Sequence, residues 1–191
     1  MQYLRNATGF SAALFVCNIA LAAPEIFTID SNHTFPMFEA SHLGISIQRG
    51  RFDKTTGKIV LDRDAKSGSI EVTIDAASIN MGFETWNNHM KGEDFFNVKK
   101  FPFMTFSSKK LIFEGDKFVG ADGEFTLLGI SKPLRLKVSG FACTEHPILK
   151  RLYCGAEVTA EIRRSDFGMS MGIPFVGDDV RLITPVEAIK D

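Results

Sequence analysis

Apolar and polar residues alternate with a period of two along much of this chain. The clearest inward-facing sets are Ile70, Val72 and Ile74; Leu134, Leu136 and Val138; and Ala156, Val158, Ala160 and Ile162. Less regular segments with the same period contain Met104 and Phe106, Phe125 and Leu127, and Val180 and Leu182. Successive side chains of a β-strand point to opposite faces, so each set predicts a strand with one face toward a core. Turn signals separate these segments at short intervals, which predicts about eight antiparallel strands in an all-β barrel or sandwich.

One segment, from Glu84 to Phe96, breaks this alternation. Trp86 and Met90 lie four positions apart in it, which is the spacing of neighbours on one face of a helix. We therefore predict a short helical insertion near residues 84–96 that covers one end of a barrel. No repeat, low-complexity tract or linker divides the sequence, so we expect one domain.

Four small residues share the inward parity of their predicted strands: Ala40, Gly140, Ala156 and Ala160. The interior of an eight-stranded antiparallel barrel is either filled by side chains or just wide enough for one slender ligand. Small inward residues leave room for a ligand, but they also fit opposite the large side chains of a filled core. The parity alone is equally compatible with an open and a filled interior.

The composition favours a dry interior and argues against a polyanionic partner. The 191 residues include 18 phenylalanines, against 2 tyrosines and 1 tryptophan. Phenylalanine has no hydrogen-bonding group, so this excess indicates a large apolar core or an apolar cavity. The formal net charge of -1 provides no basic field of the kind that attracts nucleic acid, which is therefore not an expected partner.

The first 22 residues are typical of a secretory signal peptide. Arg5 precedes an apolar run over residues 9–20, and Ala20-Leu21-Ala22 provides the small residues for cleavage after Ala22. This run is too short to span a bilayer. We therefore predict an exported domain over residues 23–191 that has no stable membrane insertion.

Two cysteines, Cys143 and Cys154, remain in the predicted mature domain. In the oxidising compartment of an exported protein, two such thiols are expected to form a disulfide. The alternatives are a redox-active pair and a metal site, but the spacing is not Cys-x-x-Cys and only His146 lies between the cysteines. We therefore predict a structural disulfide that closes a long hairpin.

The sequence offers few residues for catalysis or metal binding. Its histidines have none of the tight spacings of metal-binding motifs, and we find no nucleophile, phosphate-binding or dinucleotide-binding motif. On one extended strand His33 and His42 would lie roughly 30 Å apart, unless the strand breaks at Pro36. His42 is either an interior histidine at a barrel end or a polar anchor for the head of an apolar ligand. We predict no catalytic residue, no metal and no cofactor.

The order and spacing of several short stretches resemble the YceI-like, polyisoprenoid-binding family of exported proteins over nearly the whole predicted domain. The matching stretches are Phe27 to Asp30 with His33, Phe38 with Ser41 to Gly44, Gly50 to Phe52, Ser78-Ile79, His89-Met90, Asp94 to Val98, Phe101-Pro102, Thr105 to Ser108, Gly123 to Gly129, Ser131 to Pro133, and Arg164 to Gly168. The resemblance implies a lipocalin-like antiparallel eight-stranded barrel whose lumen holds a polyisoprenoid or quinone-type chain. It also implies a periplasmic location, a possible homodimer and no known catalysis.

Two features depart from the pattern of that family. Many members have an Arg-Asp pair just before the position of His89, where this chain has Trp86-Asn87, so a stacking or apolar contact replaces a charged one. The Cys143 and Cys154 pair is not a general family feature and adds only a covalent link.

Parity and resemblance together give a set of candidate ligand-binding residues. The predicted cavity wall consists of Phe38, Ala40, Ile70, Val72, Met104, Phe106, Leu127, Leu136, Val158, Ala160 and Phe167. The predicted lid consists of Trp86, Met90 and Phe95, and His42 or Asn87 is predicted to meet the head group. We therefore expect a non-catalytic carrier or scavenger of an isoprenoid lipid. The alternatives are an enzyme that acts on such a lipid, with His42 or His89 as general base, and a filled barrel that works through surface binding.

Overall fold

In the computed structural model, which describes residues 23–191, the chain forms eleven β-strands and one α-helix. The elements are β1 (Glu25–Ile29), β2 (Met37–His42), β3 (Ser46–Phe52), β4 (Thr55–Asp62), β5 (Ser67–Asp75), β6 (Ile79–Asn80), α1 (Glu84–Met90), β7 (Phe103–Glu114), β8 (Lys117–Leu127), β9 (Ile130–Glu145), β10 (Leu152–Arg163) and β11 (Val176–Lys190). Two short 3-10 turns cover Ala76–Ser78 and Arg164–Phe167. Helix α1 confirms the predicted helical insertion. The predicted signal peptide, residues 1–22, lies outside the described residues.

Eight of these strands close into an antiparallel barrel. Around the barrel the order is β1, β4, β5, β7, β8, β9, β10 and β11, and β11 pairs back onto β1 to complete the ring. Neighbouring strands run antiparallel throughout this ring. The prediction of an all-β, lipocalin-like antiparallel barrel is thereby confirmed.

The other three strands, β2, β3 and β6, extend one end of the barrel. β2 follows β1 after a break at residues 30–36 and pairs with the first half of β11, and β3 and β6 lie beside it in turn. His33 therefore lies in a turn and does not share a strand with His42. Helix α1 and its loops connect β6 to β7 at this end, which we call the helix end and which comprises residues 43–45, 81–102, 128–129 and 168–175. The opposite end, with the turns at residues 63–66, 115–116 and 146–151, is the disulfide end.

The predicted disulfide between Cys143 and Cys154 is present. The two residues are direct partners across β9 and β10, with their Cα atoms 4.0 Å apart. The bond therefore links two adjacent strands of the barrel wall and closes the hairpin between them, as predicted.

The inward parity predicted for Gly140 is wrong. The pairing of β9 with β10 shifts register between Gly155 and Glu157, and Gly140 is exposed with a φ of 66°, in the left-handed region that glycine adopts without strain. This bulge adds a residue to β9, so Phe141 instead of Gly140 packs toward the core.

The remaining alternation matches the burial of side chains. Ile70 and Ile74 on β5, Met104 and Phe106 on β7, and Leu127 on β8 are all buried. Because these side chains come from every second position, the core is a continuous apolar lining on the inner surface of the barrel. Within residues 23–191, no helix has the length and apolar character that crossing a membrane requires.

Candidate functional site

A cavity of about 370 Å³ occupies the interior of the barrel. Its wall reaches from Trp86 and His89 at the helix end to Phe118 and Phe141 at the disulfide end, so the cavity is elongated along the barrel. His89 lines this cavity and is also exposed to solvent, which places an opening at the helix end. The structure thus resolves the choice that parity left open, because the interior is not filled by side chains.

Fourteen of the sixteen candidate ligand-binding residues line this cavity: Phe38, Ala40, His42, Ile70, Val72, Trp86, Met90, Phe95, Met104, Phe106, Leu127, Leu136, Val158 and Ala160. The barrel brings them together because each strand contributes its inward positions to one shared lumen. Ala156, the other small residue of inward parity on β10, also lines the cavity. Contact between these residues and a ligand stays a prediction.

Phe167, one of the other two candidates, does not line the cavity. Strand β10 ends at Arg163, and the 3-10 turn that follows takes Phe167 out of the alternation of the strand. Its buried ring packs edge to face on Phe125, with the centroids 5.6 Å apart, and Phe125 is the residue that lines the cavity. The placement of Phe167 in the wall was wrong because strand parity does not continue through a helical turn.

Several aromatic rings of the wall were not among the predicted residues. Phe38 packs on Phe52 and Phe96, with centroid distances of 6.2 and 6.1 Å, and Phe52 meets Phe96 edge to face at 5.2 Å. Nearer the disulfide end, Phe118 and Phe141 meet edge to face at 5.7 Å. All five rings line the cavity. The wall is therefore more aromatic than the sequence patterns indicated, in keeping with the excess of phenylalanine.

Helix α1 places the predicted lid residues over the helix end of the cavity. The helix begins after Phe83, whose ring stacks on Trp86 with the centroids 5.6 Å apart. His89 and Phe95 meet edge to face at 4.9 Å, so the helix and the loop after it pack against each other. Trp86, Met90 and Phe95 all contribute to the cavity wall, as a lid would.

The two polar residues proposed to meet a head group have different placements. Asn87 accepts a hydrogen bond from the N–H of Met81 at 2.6 Å through its side-chain oxygen, and it does not line the cavity. Its role is to fix the entry into α1. His42 is half-buried near the end of β2, opposite Val176 of β11, and it does line the cavity. His42 is therefore the better placed of the two to meet a polar head.

Arg164 is a buried charged residue of the cavity wall that the sequence analysis did not identify as a site residue. Its guanidinium donates hydrogen bonds to four main-chain carbonyls: those of Gly177 at 2.8 Å, Met169 at 3.1 Å, and Met171 and Val176 at 2.9 Å each. Burial lowers the pKa of Arg164 from its ordinary value. These bonds hold residues 169–177 against the helix end, so Arg164 shapes the rim of the cavity.

A second polar cluster lies outside the cavity, where the break between β1 and β2 meets β11. Asp30, His33 and Glu187 place their ligand atoms within 4.8 Å of one another, which is the kind of group that can hold a metal ion. The hydroxyl of Tyr153 donates to Asp30 at 2.5 Å, and the His33 ring lies 2.8 Å from the same carboxylate. Burial pushes the pKa of Asp30 upward, but the hydrogen bonds with Tyr153 and His33 outweigh it and hold that pKa below its ordinary value. The hydrogen bond to Asp30 in turn raises the pKa of His33.

This cluster ties the strand break to two neighbouring strands. Asp30 also accepts the main-chain N–H of Asn32, so its carboxylate is occupied by groups of this chain. The arrangement explains how the turn between β1 and β2 is held, and it keeps His33 apart from the cavity.

Comparison with known proteins agrees with the barrel fold. The YceI-like domain model matches residues 27–188. A UPF0312 protein from Pseudomonas aeruginosa is 30% identical over 185 residues, which cover 96% of each chain. The crystal structure of the Campylobacter jejuni YceI protein has a TM-score of 0.67 and 31% identity, and the match covers 79% of this chain and 90% of that one.

A more distant solved structure has the same fold. It is a polyisoprenoid binding domain from Saccharophagus degradans implicated in plant cell wall breakdown, with a TM-score of 0.61 and 18% identity over 86% of this chain and 98% of that one. The family match covers nearly all of the described residues, from β1 to the end of β11. This chain therefore belongs to the YceI-like family.

Proposed function

We propose that this protein is a non-catalytic carrier or scavenger of a polyisoprenoid or quinone-type lipid in the periplasm. The observation that carries the proposal is the elongated apolar cavity inside a closed barrel, which opens beside a single short helix. A chain-like lipid fits such a lumen because it is slender, uncharged along its length and poorly soluble in water.

The energetics of burial favour an apolar chain over a polar ligand. Burial of apolar surface contributes about 25 cal/mol per Å², so several isoprene units provide roughly ten kcal/mol before ordering costs. The wall matches that requirement, since residues such as Phe106, Phe125 and Leu127 offer no hydrogen bonds. Arg164, a charged residue of the wall, is engaged with main-chain carbonyls. Chain length is then selected by the length of the cavity, and the head group by polar residues near the opening such as His42.

Two further observations support the proposal. The Saccharophagus degradans domain of the same fold is described as polyisoprenoid binding, which supports an isoprenoid as the ligand class. The disulfide between Cys143 and Cys154 supports an oxidising compartment, and the predicted signal peptide over residues 1–22 supports export to it.

Native mass spectrometry of protein purified from the periplasm of its own cells tests this proposal most directly. We expect a mass increment that organic extraction releases as an intact isoprenoid lipid. An empty protein whose extract contains no lipid would contradict the carrier function. Incubation of the protein with quinone or polyprenyl phosphate adds a second readout, since recovery of a chemically altered lipid would favour an enzyme.

A titration with all-trans-retinol, a fluorescent isoprenoid alcohol, tests the apolar nature of the site. Exposed charges are screened by salt whereas apolar burial is not, so the dissociation constant should be the same at low and at moderate salt. A weakening of about tenfold with added salt would show that binding depends on charged groups of the protein and would contradict an apolar site.

A further inference from the structure

Exposed apolar side chains are concentrated at the helix end of the barrel. Of the twelve large apolar residues of the described chain that are exposed, nine lie at or next to this end: Leu43, Ile45, Ile47, Phe83, Phe103, Ile130, Met171, Ile173 and Phe175. The other three are Ile26, Ile148 and Leu149. Large contiguous apolar patches on a protein surface mark sites of interaction with another apolar surface.

This apolar surface is continuous with the opening of the cavity. The N–H of Leu43 donates to the carbonyl of Phe175 at 2.6 Å, which joins the β2–β3 turn to the loop before β11. His42 precedes Leu43, Val176 follows Phe175, and both line the cavity. On α1, the exposed ring of Phe83 stacks on Trp86, which also lines the cavity. We call the exposed residues Leu43, Ile45, Phe83, Met171, Ile173 and Phe175 the apolar rim.

The segments that carry the apolar rim have no net charge. Residues 43–47 and 168–177 contain no charged side chain at all. Residues 81–102 contain three carboxylates and three lysines, which cancel. A partner for this rim must therefore be apolar and need not carry charge of either sign.

We propose that the apolar rim docks on the surface of a phospholipid bilayer. This inference rests on the proposed function: a lipid that is insoluble in water must leave a bilayer to reach the cavity, and the rim surrounds the opening through which it would pass. Rim side chains that enter the bilayer let the chain move between bilayer and cavity without crossing water. The stacked aromatic pair of Phe83 and Trp86 suits this position, because aromatic rings, tryptophan especially, favour the boundary between acyl chains and water.

The test compares two substitutions at equally exposed isoleucines on opposite ends of the barrel. Ile45 at the helix end and Ile148 at the disulfide end are each 82% exposed, so Ile45→Asp and Ile148→Asp make the same chemical change in two places. The first readout is flotation of the full mature protein with vesicles of pure phosphatidylcholine. The second is the rate at which retinol passes from the protein to such vesicles. We expect the unsubstituted protein and Ile148→Asp to float and to transfer retinol at a rate that rises with vesicle concentration, and Ile45→Asp to lose about tenfold or more in both readouts.

Three results would overturn the inference. The first is equal behaviour of Ile45→Asp and Ile148→Asp. The second is binding that requires phosphatidylglycerol and disappears with salt, which would assign the contact to lysine or arginine residues instead of the rim. The third is light scattering that shows the unsubstituted protein as a dimer and Ile45→Asp as a monomer, with no flotation of either, because the rim would then be covered by a second copy of the chain.

Two controls separate this inference from the proposed function and from misfolding. Retinol titration without vesicles reports on the cavity alone. If the unsubstituted protein binds retinol but does not float with vesicles, only the docking inference is wrong. If the unsubstituted protein does not bind retinol, the proposed function is wrong. Phe175→Ser, at a rim residue that is 67% exposed, provides a second rim variant if Ile45→Asp does not fold, and it should lose flotation in the same way.

Discussion

The two ends of the barrel are held together in different ways. At the disulfide end, the bond between Cys143 and Cys154 joins β9 to β10. The guanidinium of Arg63 lies 5.5 Å from the centroid of the Phe141 ring and pairs at 3.5 Å with Glu25 of β1. Covalent and charged contacts therefore connect strands around this end.

At the helix end, two strands of the barrel are interrupted instead. A break at residues 30–36 separates β1 from β2, and the turn of Ala76–Ser78 separates β5 from β6. Helix α1 and its loops lie between β6 and β7. The loop of residues 169–177 is held by hydrogen bonds from one side chain, Arg164. Local opening is easiest where strand pairing is interrupted and loops are exposed. We therefore expect a ligand to enter at the helix end and not at the disulfide end.

The largest expected effect is the loss of Arg164, which would disrupt the helix end selectively. Arg164→Met removes the side-chain donor of four main-chain carbonyls. Hydrogen bonds to a charged group are worth about 1.5–3 kcal/mol each, not fully additive. We expect the free energy of unfolding to fall by about 3–4 kcal/mol in chemical denaturation. Hydrogen exchange should quicken first in residues 169–177.

Arg163 provides the matched control for this change. Its exposed guanidinium pairs with Asp178 at 3.0 Å, so Arg163→Met should alter stability by about 1 kcal/mol or less. Equal destabilisation by the two substitutions would show that Arg164 does not hold the loop in the way described.

Removal of the disulfide tests the other end. The bond joins residues that are 11 apart, and in the chain-entropy model such a loop contributes about 3 kcal/mol. The double substitution Cys143→Ala with Cys154→Ala should lower the melting temperature by about 6–12 °C. Retinol affinity should stay unchanged, because we expect entry at the helix end. A large loss of affinity in this variant would remove the distinction between the two ends.

A ring placed in the lumen should separate binding from stability. Ala160 is buried and lines the cavity, so the ring of Ala160→Phe enters space that a ligand would occupy. We expect retinol affinity to fall by about tenfold or more, with only a small change in melting temperature. Overpacking of a filled core would instead destabilise the protein by about 1–3 kcal/mol.

Ala142→Phe is the control for that substitution, because Ala142 lies exposed on the neighbouring strand β9. It should leave retinol affinity unchanged. A strongly destabilised Ala160→Phe protein that binds retinol normally would argue against a ligand in the lumen.

The smallest expected effect concerns acid pH. Asp178 accepts hydrogen bonds from the N–H of Ser165 at 2.8 Å and from its hydroxyl at 2.7 Å, and these, followed by the contact with Arg163, hold the pKa of Asp178 below its ordinary value of 3.8. The contribution of a depressed carboxyl pKa to stability is present above the ordinary value and is lost as the pH falls through the lower, folded-state value. Melting temperature should therefore decline less steeply with acid in Asp178→Asn than in the unsubstituted protein.

Asp191 at the disulfide end gives the corresponding comparison. Hydrogen bonds from Thr28 and Lys58 lower its pKa. In Asp191→Asn the melting temperature should also decline less steeply with acid. Hydrogen exchange in residues 169–177 should not become faster. If the melting temperature of Asp178→Asn declined with acid as steeply as that of the unsubstituted protein, this carboxylate would not support the helix end.

Regular alternation predicted the fold and most of the cavity wall. Ile70, Val72, Val158 and Ala160 line the lumen because uninterrupted strands preserve the period of two. Gly140 was assigned to the wrong face because a bulge adds a residue without any mark in the hydrophobic pattern. The four cavity-lining residues lie where strand pairing is regular, whereas Gly140 lies at a bulge. A prediction from alternation assumes regular pairing throughout.

Other site residues could not be predicted from the pattern. The inward positions of β3 are Gln48, Gly50 and Phe52, which do not form an apolar run, so Phe52 was missed. Arg164 continues the parity of Ile162, but a buried arginine normally implies a carboxylate partner. Its partners here are main-chain carbonyls of a loop, and no sequence pattern identifies those in advance.

The seam between β1 and β11 determines when the barrel can form. Phe27 pairs with Lys190 across this seam, so the closing contacts join residues from nearly opposite ends of the described chain. Pairing over such a separation is slow, because the loop between the strands must be ordered before the contacts form. A chain that emerges residue by residue from a ribosome or a translocation pore holds β1 without this partner until its last strand arrives. The ring of the barrel therefore cannot close before β11 is available.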